Sequence, residues 1–149
     1  MAVRIQAEPF DPGAETNLFL QSSQGAGAAV TFTGLVRADP NAALTTLTLE
    51  TYKEMAISQI TALEAEAVAR FGLLRSAVIH RYGALRPGEP IVQVMTLAPH
   101  RQAAFEAAEF LMDHLKTDAP FWKKETGSTG EHWFEHNAAD GAAKSRWRR

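Results

Sequence analysis

The chain has 149 residues, 46% of them apolar and 21% charged, the balance of one globular domain rather than a disordered or fibrous chain. A formal charge of −2 argues against a general nucleic-acid binder, and the lack of cysteine removes disulfides, thiolate catalysis and cysteine-ligated zinc. No run approaches the ~18 apolar residues of a membrane span, and residues 1–10 lack the basic start and apolar core of a secretory signal, so a cytoplasmic location is expected.

In chain order, Asp11-Pro12 sets a capping carboxylate before a proline suited to the first helical position, which predicts a short helix to about Leu20. Gly25 to Gly27 end it. Val30 to Val36 alternate apolar with polar or small residues, the period of a strand, and Thr46 to Tyr52 alternate again with β-branched residues. Residues 54–71 change to helical spacing, with Ile60, Leu63, Ala67 and Phe71 on one face and Gly72 at the C-terminal cap. Two strands follow, Ala77 to Tyr82 and Ile91 to Leu97, joined by the turn Arg86-Pro87-Gly88-Glu89. A helix over about 100–116 carries the stripe Ala104, Ala108, Leu111, Leu115, and Pro120 must lie beyond it. Phe121 to Glu125 form a last strand, with Gly127 and Gly130 turning the chain into His132-Trp133-Phe134. Strand pairs separated by single helices, without regular alternation, predict an α+β fold with a mainly antiparallel sheet and a few packed helices, in one domain over 1–149. Lys144, Arg146, Arg148 and Arg149, interrupted by Trp147, make a basic tail from about residue 138. Its simplest reading is a flexible, solvated end; the alternative is a segment that touches an acidic partner or folds over a neighbouring site.

The chemistry rests on basic residues. His100-Arg101 stand at a helix N-terminus, where cations are unfavourable by about 0.3–1 kcal/mol each. With the free backbone N–H groups there they make a receptor for phosphate or carboxylate; the plainer reading is a capping His and a surface Arg. At the other end of the same helix Lys116 has a structural reason in the helix dipole. Lys123, beside Trp122, sits where a strand could place it at a pocket edge. Cations that converge depress a lysine pKa and make it usable as acid, base or nucleophile. His132 and His136, four apart, would share a helix face, but no third ligand is evident and no metal is expected. Ser22, Ser23 and Ser128 lack nucleophile-elbow glycines, and no phosphate loop or dinucleotide fingerprint occurs. Phe105, Phe110 and Met112 read as core.

The blocks 30–37, 47–52, 78–83 and 87–89, then Ala98-Pro99-His100-Arg101 through Glu106 and Leu115 through Glu125, resemble in their order the large, catalytic subunit of molybdopterin synthase. The resemblance covers about 27–134. It implies an α/β hammerhead fold and a dimer of large subunits, with a small ubiquitin-like subunit at each end to complete a heterotetramer. The small subunit's C-terminal Gly-Gly thiocarboxylate would enter a pocket here and give sulfur to cyclic pyranopterin monophosphate, forming the molybdopterin dithiolene. No cofactor is implied, and the missing cysteines fit a sulfur brought by the partner. By the same resemblance Lys116 and Lys123 are the catalytic lysines. Arg37, His100 and Arg101 bind the substrate's phosphate and pterin, and Lys124 and Glu125 complete the pattern beside Lys123. Two departures stand out: Leu35 replaces a basic residue found in many members, and the loop 38–44 lacks a glycine. Without the resemblance two alternatives stay open, a receptor for a ubiquitin-like tail without catalysis and a lyase that forms a Schiff base on Lys116 or Lys123.

Overall fold

The computed structural model describes residues 2–37, 44–117, 121–127, 130–134 and 144–147, with backbone only for 44, 45, 124–127 and 130–134. In chain order the elements are β1 (Ala2–Gln6), α1 (Pro12–Phe19), β2 (Ala28–Leu35), β3 (Leu44–Thr51), α2 (Lys53–Phe71), β4 (Arg75–Arg81), β5 (Gly83–Leu85), β6 (Pro90–Ala98), α3 (Arg101–Leu115), β7 (Phe121–Gly127) and β8 (Gly130–Phe134). The expected α+β class, with antiparallel pairing dominant, is what forms.

The strands make two four-stranded sheets. The first runs β1-β4-β6-β2 and the second β5-β3-β7-β8. Among the described strands only β1 with β4 is parallel. β6 lies inside the first sheet and is buried from Val92 to Ala98, because both its faces are covered. On one face α2 and α3 pack Ile60, Leu63, Ala67, Ala104, Ala108, Phe110 and Leu111 against Val78, Val92 and Val94. On the other, Phe19 of α1 meets Ile79, Met95 and Leu97. A separate cluster of Val36, Leu47, Leu49 and Leu85 fastens the second sheet to the first.

Local chemistry explains the boundaries. The Asp11 carboxylate accepts from Gly13 N–H (3.0 Å) and Ala14 N–H (3.2 Å), capping α1 as expected. Gly72, at φ 67°, closes α2 in the left-handed region that suits glycine. The strand expected over 77–82 forms as β4, and the short strand after it carries no expectation above. β4 ends at Arg81, and Gly83 at φ 91° turns the chain into the second sheet as β5. β1 carries no expectation above, although Val3 and Ile5 turn inward there.

Three expectations change. Phe105 is 60% exposed on α3, while Phe110 is fully buried and Met112 packs at the core margin. His132 lies on strand β8 rather than on a helix; His136 is outside the described residues, as are Pro120, Ser128, Arg148 and Arg149. The basic tail is not free over 144–147. Trp147 packs edge-on against Phe71 and Phe110, at centroid distances of 5.8 and 5.7 Å. Its Nε1–H and Arg146 Nη2 both donate to Asp113 Oδ2, at 2.6 and 2.7 Å, and Arg70 Nη1 donates to the Trp147 carbonyl at 2.8 Å. The indole buries apolar surface that a solvated end would leave exposed, which is why the segment docks.

One glycine is required by packing. A Cβ at position 27 would lie 2.2 Å from the Pro99 carbonyl oxygen, where the Gly27 N–H donates to Ala98 O (3.0 Å). Gly27→Ala must push apart the β2 entry and the turn that leads into α3. We expect a loss of ~1–3 kcal/mol, the range for overpacking, seen as a lowered midpoint in urea unfolding with unchanged slope. A parent-like midpoint would show that the turn yields without strain.

Candidate active site

Topology decides which basic residues meet. β2 pairs with β6 from Ala28↔Ala98 to Leu35↔Pro90, so Arg37, exposed just past β2, lies at the Pro90 end of the first sheet. Its backbone neighbour is held there: Val36 N–H donates to Glu89 O (2.9 Å) and Gly88 N–H to Val36 O (2.8 Å). The turn is held in its own right. Buried Arg81 pairs through Nη1 with Glu89 Oε2 (2.8 Å) and donates from Nη2 and Nε to Ala7 O (2.8 and 3.1 Å). That hydrogen bond from Arg81 is the main reason the Glu89 carboxyl titrates below its usual range.

α3 starts at the opposite end. Thr96 Oγ1 donates to Ala104 O (2.7 Å), fixing the first turns of the helix over the end of β6. His100 is the N-cap residue, but its side chain makes no capping bond, and both His100 and Arg101 are exposed. The capping role for His100 therefore does not occur. The helix has 15 residues, about 22 Å at 1.5 Å per residue, and it runs back over β6 and β2. Lys116 is its C-cap, exposed, with its N–H donating to Met112 O (3.1 Å).

β7 begins beside that end. Phe121 stacks on His80, centroids 3.8 Å apart and planes 18° from parallel, and His80 is in register with Val92 of β6. Lys123 is exposed, registered with Leu49 and Phe134. Alternation puts its side chain on the same sheet face as Phe121. Lys124 registers with Thr48 and Trp133, and Glu125 with Leu47 and His132; their side chains are outside the described residues, as is the loop 38–43. Leu35 is exposed at the end of β2.

The chain thus gathers Arg37, Lys116 and Lys123 at one end of the first sheet. His100 and Arg101 stand about a helix length away, roughly 22 Å, because they flank the opposite terminus of α3. The exposed basic side chains therefore fall into two groups, one at each end of α3.

His80 is the residue that motif reasoning did not single out. Its Nδ1 lies 2.8 Å from Arg81 O, a contact that only a protonated Nδ1 can make with a carbonyl. Burial is the main cause that lowers its pKa to about 4; the Arg81 carbonyl opposes this and the charge of Lys123 adds to it. The signal available in the sequence was a histidine at the end of an apolar strand, which alone does not separate site from core.

Similarity to known proteins agrees with this architecture. The family model described as MoaE protein matches residues 5–118. A protein of Cereibacter sphaeroides described as molybdopterin synthase catalytic subunit is 52% identical over 147 residues, covering 99% of this chain and 100% of that one. Among solved structures, a molybdopterin biosynthesis MoaE protein from Burkholderia ambifaria superposes with a TM-score of 0.84 at 42% identity, covering 99% of this chain and 98% of that one. Molybdopterin synthase from Staphylococcus aureus gives 0.81 at 29% identity, over 89% and 96%. The chain belongs to the MoaE family of molybdopterin synthase catalytic subunits. Among the described residues no helix is long and apolar enough to cross a membrane.

The lowered His80 pKa has a signed consequence. The folded ring takes its proton near pH 4 and a free imidazole near 6.5, so between those values the unfolded chain binds more protons. The contribution of His80 to stability is full above about pH 6.5 and is lost as the pH falls toward 4, an effect on the order of 1–3 kcal/mol. Urea unfolding at a series of pH values should show a shallower loss over this window for His80→Phe than for the parent. Parallel curves would mean that His80 titrates normally.

Proposed function

We propose that this chain moves sulfur from the C-terminal thiocarboxylate of a small ubiquitin-like subunit onto cyclic pyranopterin monophosphate, and that it works in the cytoplasm. What supports the reading is topology: Lys116 closes α3 and Lys123 lies on β7, both toward the end of the first sheet that carries Arg37. The description of its relatives as a subunit supports the need for a partner. Both reactants are anions, so a cationic site lowers the free energy of bringing them together. Lys116 is assigned to the incoming thiocarboxylate, as acid/base or oxyanion stabiliser. Lys123 is assigned to proton transfer as the cyclic phosphate opens and water leaves. A carbon–sulfur bond forms on the pterin side chain as water or the phosphate oxygen leaves the carbon attacked. A second water then adds to the acyl carbon, the acyl–sulfur bond breaks with sulfur kept by the pterin, and the tail is left as a carboxylate. Two tails supply the two sulfurs of the dithiolene. Lys124 and Glu125 are assigned to substrate beside Lys123.

The phosphate and pterin residues need a second copy of the chain. Because His100 and Arg101 stand a helix length from Lys116, a site that uses all five of Arg37, His100, Arg101, Lys116 and Lys123 takes His100 and Arg101 from one copy and the rest from its neighbour. Symmetric pairing gives two such sites per dimer.

Lys116→Ala should abolish or nearly abolish product formation from cyclic pyranopterin monophosphate and thiocarboxylated partner. The fold should hold, since removing an exposed lysine changes stability by about 0.5 kcal/mol or less. Arg37→Ala and Arg101→Ala should weaken substrate binding by tens-fold, for a charge-assisted contact of ~1.5–3 kcal/mol, and leave partner binding nearly intact in calorimetry. Near-parent turnover in Lys116→Ala would sink the catalytic assignment.

Mixing separates the one-copy and two-copy versions. Lys116→Ala and Arg101→Ala variants, unfolded together and refolded, should recover about a quarter of parent activity, since half the dimers carry one intact site of two. A mixture no better than its components would place all five residues in one chain. Removing Gly-Gly from the partner should end turnover but keep part of the binding in titration and size exclusion.

A further inference from the structure

The start of β7 is held from both faces. Beneath it, His80 stacks on Phe121; on the other face Trp122 meets Tyr52, the N-cap residue of α2, edge-on at 5.4 Å. Trp122 and Tyr52 are largely exposed, whereas His80 and Phe121 are half-buried, and Phe121 joins the main core. The His80–Phe121 pair is thus the firmer of the two holds. It lies two residues before Lys123 on the same face of the strand, where a shift of the Phe121 ring carries the lysine with it. The imidazole is itself fixed. β4 holds its backbone between β1 (Ile5↔His80) and β6 (His80↔Val92), and Nδ1–H donates to Arg81 O at 2.8 Å.

A histidine here differs from an aliphatic residue in two ways. It offers a flat ring for stacking, and it bonds a carbonyl at the end of the strand, which sets the ring plane. An uncharged ring also adds no repulsion to Lys123, the charged group whose field reaches it. Neither property is needed merely to fill space at the end of a core.

We propose that His80 is a positioning residue for Lys123: its ring, oriented by the Arg81 carbonyl, is the seat on which Phe121 sets β7 and so the lysine. The inference rests on the assignment of Lys123 to the sulfur-transfer site. It adds a residue that touches neither substrate nor partner.

The test is a set of variants of the full chain, assayed with thiocarboxylated partner and cyclic pyranopterin monophosphate. His80→Ala should lower kcat about tenfold or more, as a displacement of about 1 Å can, with KM changed less than about twofold. His80→Phe, which keeps the stack, should return kcat to within about threefold of the parent. Phe121→Ala should reproduce the His80→Ala loss, and the double variant should be no slower than Phe121→Ala, because the two residues act as one unit. Lys123, followed by the NMR signal of its 13C-labelled ε-carbon, gives a readout without turnover. That signal should move in His80→Ala and Phe121→Ala and stay in place in His80→Phe. Parent kcat in His80→Ala, additive losses in the double variant, or a His80→Phe variant as slow as His80→Ala would each overturn the proposal. If His80→Ala fails to fold, His80→Phe and Phe121→Ala still decide it. If the parent makes no product, the sulfur-transfer reading falls, while the Lys123 signal still tests the seat.

Discussion

The structure depends on the burial of one strand from two sides. β6 is covered by α2 and α3 on one face and by α1 on the other, so Val92 to Ala98 have no solvent-facing alternation. A strand so enclosed fixes the direction of whatever leaves it, since no polar backbone group there can be left unpaired. α3 must leave from the Ala98 end and fold back, and β2 must pair antiparallel along the whole length. Three buried polar side chains tie the neighbouring elements to this frame. Thr96 bonds to α3, Gln93 Nε2 donates to Pro12 O of α1 at 3.0 Å, and the Ser76 hydroxyl donates to buried Glu64, whose carboxyl burial pushes up toward the protonated form.

Charge is distributed along this frame rather than gathered in one cleft of the chain. A helix separates its termini by its own length, and α3 has basic residues at both. Lys116 gains from the dipole at its end; His100 and Arg101 oppose it at theirs. Residues placed against the dipole have no local structural reason, so they fit a ligand brought to that terminus from outside. The second sheet completes the other end, bringing Lys123 next to the point where β4 gives way to β5 and the Arg81–Glu89 pair locks the turn under Val36.

Much of this was legible in the residues. The capped proline of α1, the apolar stripes of α2 and α3 and the β-branched run of β3 are local signals, and they fall where the elements form. What was not legible is long-range. Gly83 to Leu85 are too few to signal a strand, and only the partner strands show that the chain changes sheet after Arg81. Three residues of β1 alternate too briefly to stand out, although the parallel partner at Ala77 to Arg81 makes them a strand. Phe105 is a large apolar residue yet faces out, because it stands about 100° round the helix from Ala104 and the stripe that packs on the sheet. A basic tail gives no sign that one tryptophan will find Asp113 across the helix pair. The separation of His100 from Lys116 could have been read, since both flank one helix.

The register of the second sheet also governs when it can exist. Thr51 pairs with Phe121 and Leu49 with Lys123, partners 70 and 74 residues apart. During synthesis at ~5–20 residues per second, β3 leaves the ribosome roughly 4–14 s before its partner strand. Through that interval the nascent chain carries an apolar strand whose Leu47 and Leu49 have no β7 to lie beside, an edge of the kind holding chaperones recognise. The strand that bears Lys123 is therefore among the last parts of the framework to be built, and a nascent chain arrested before it has the main core but lacks that strand.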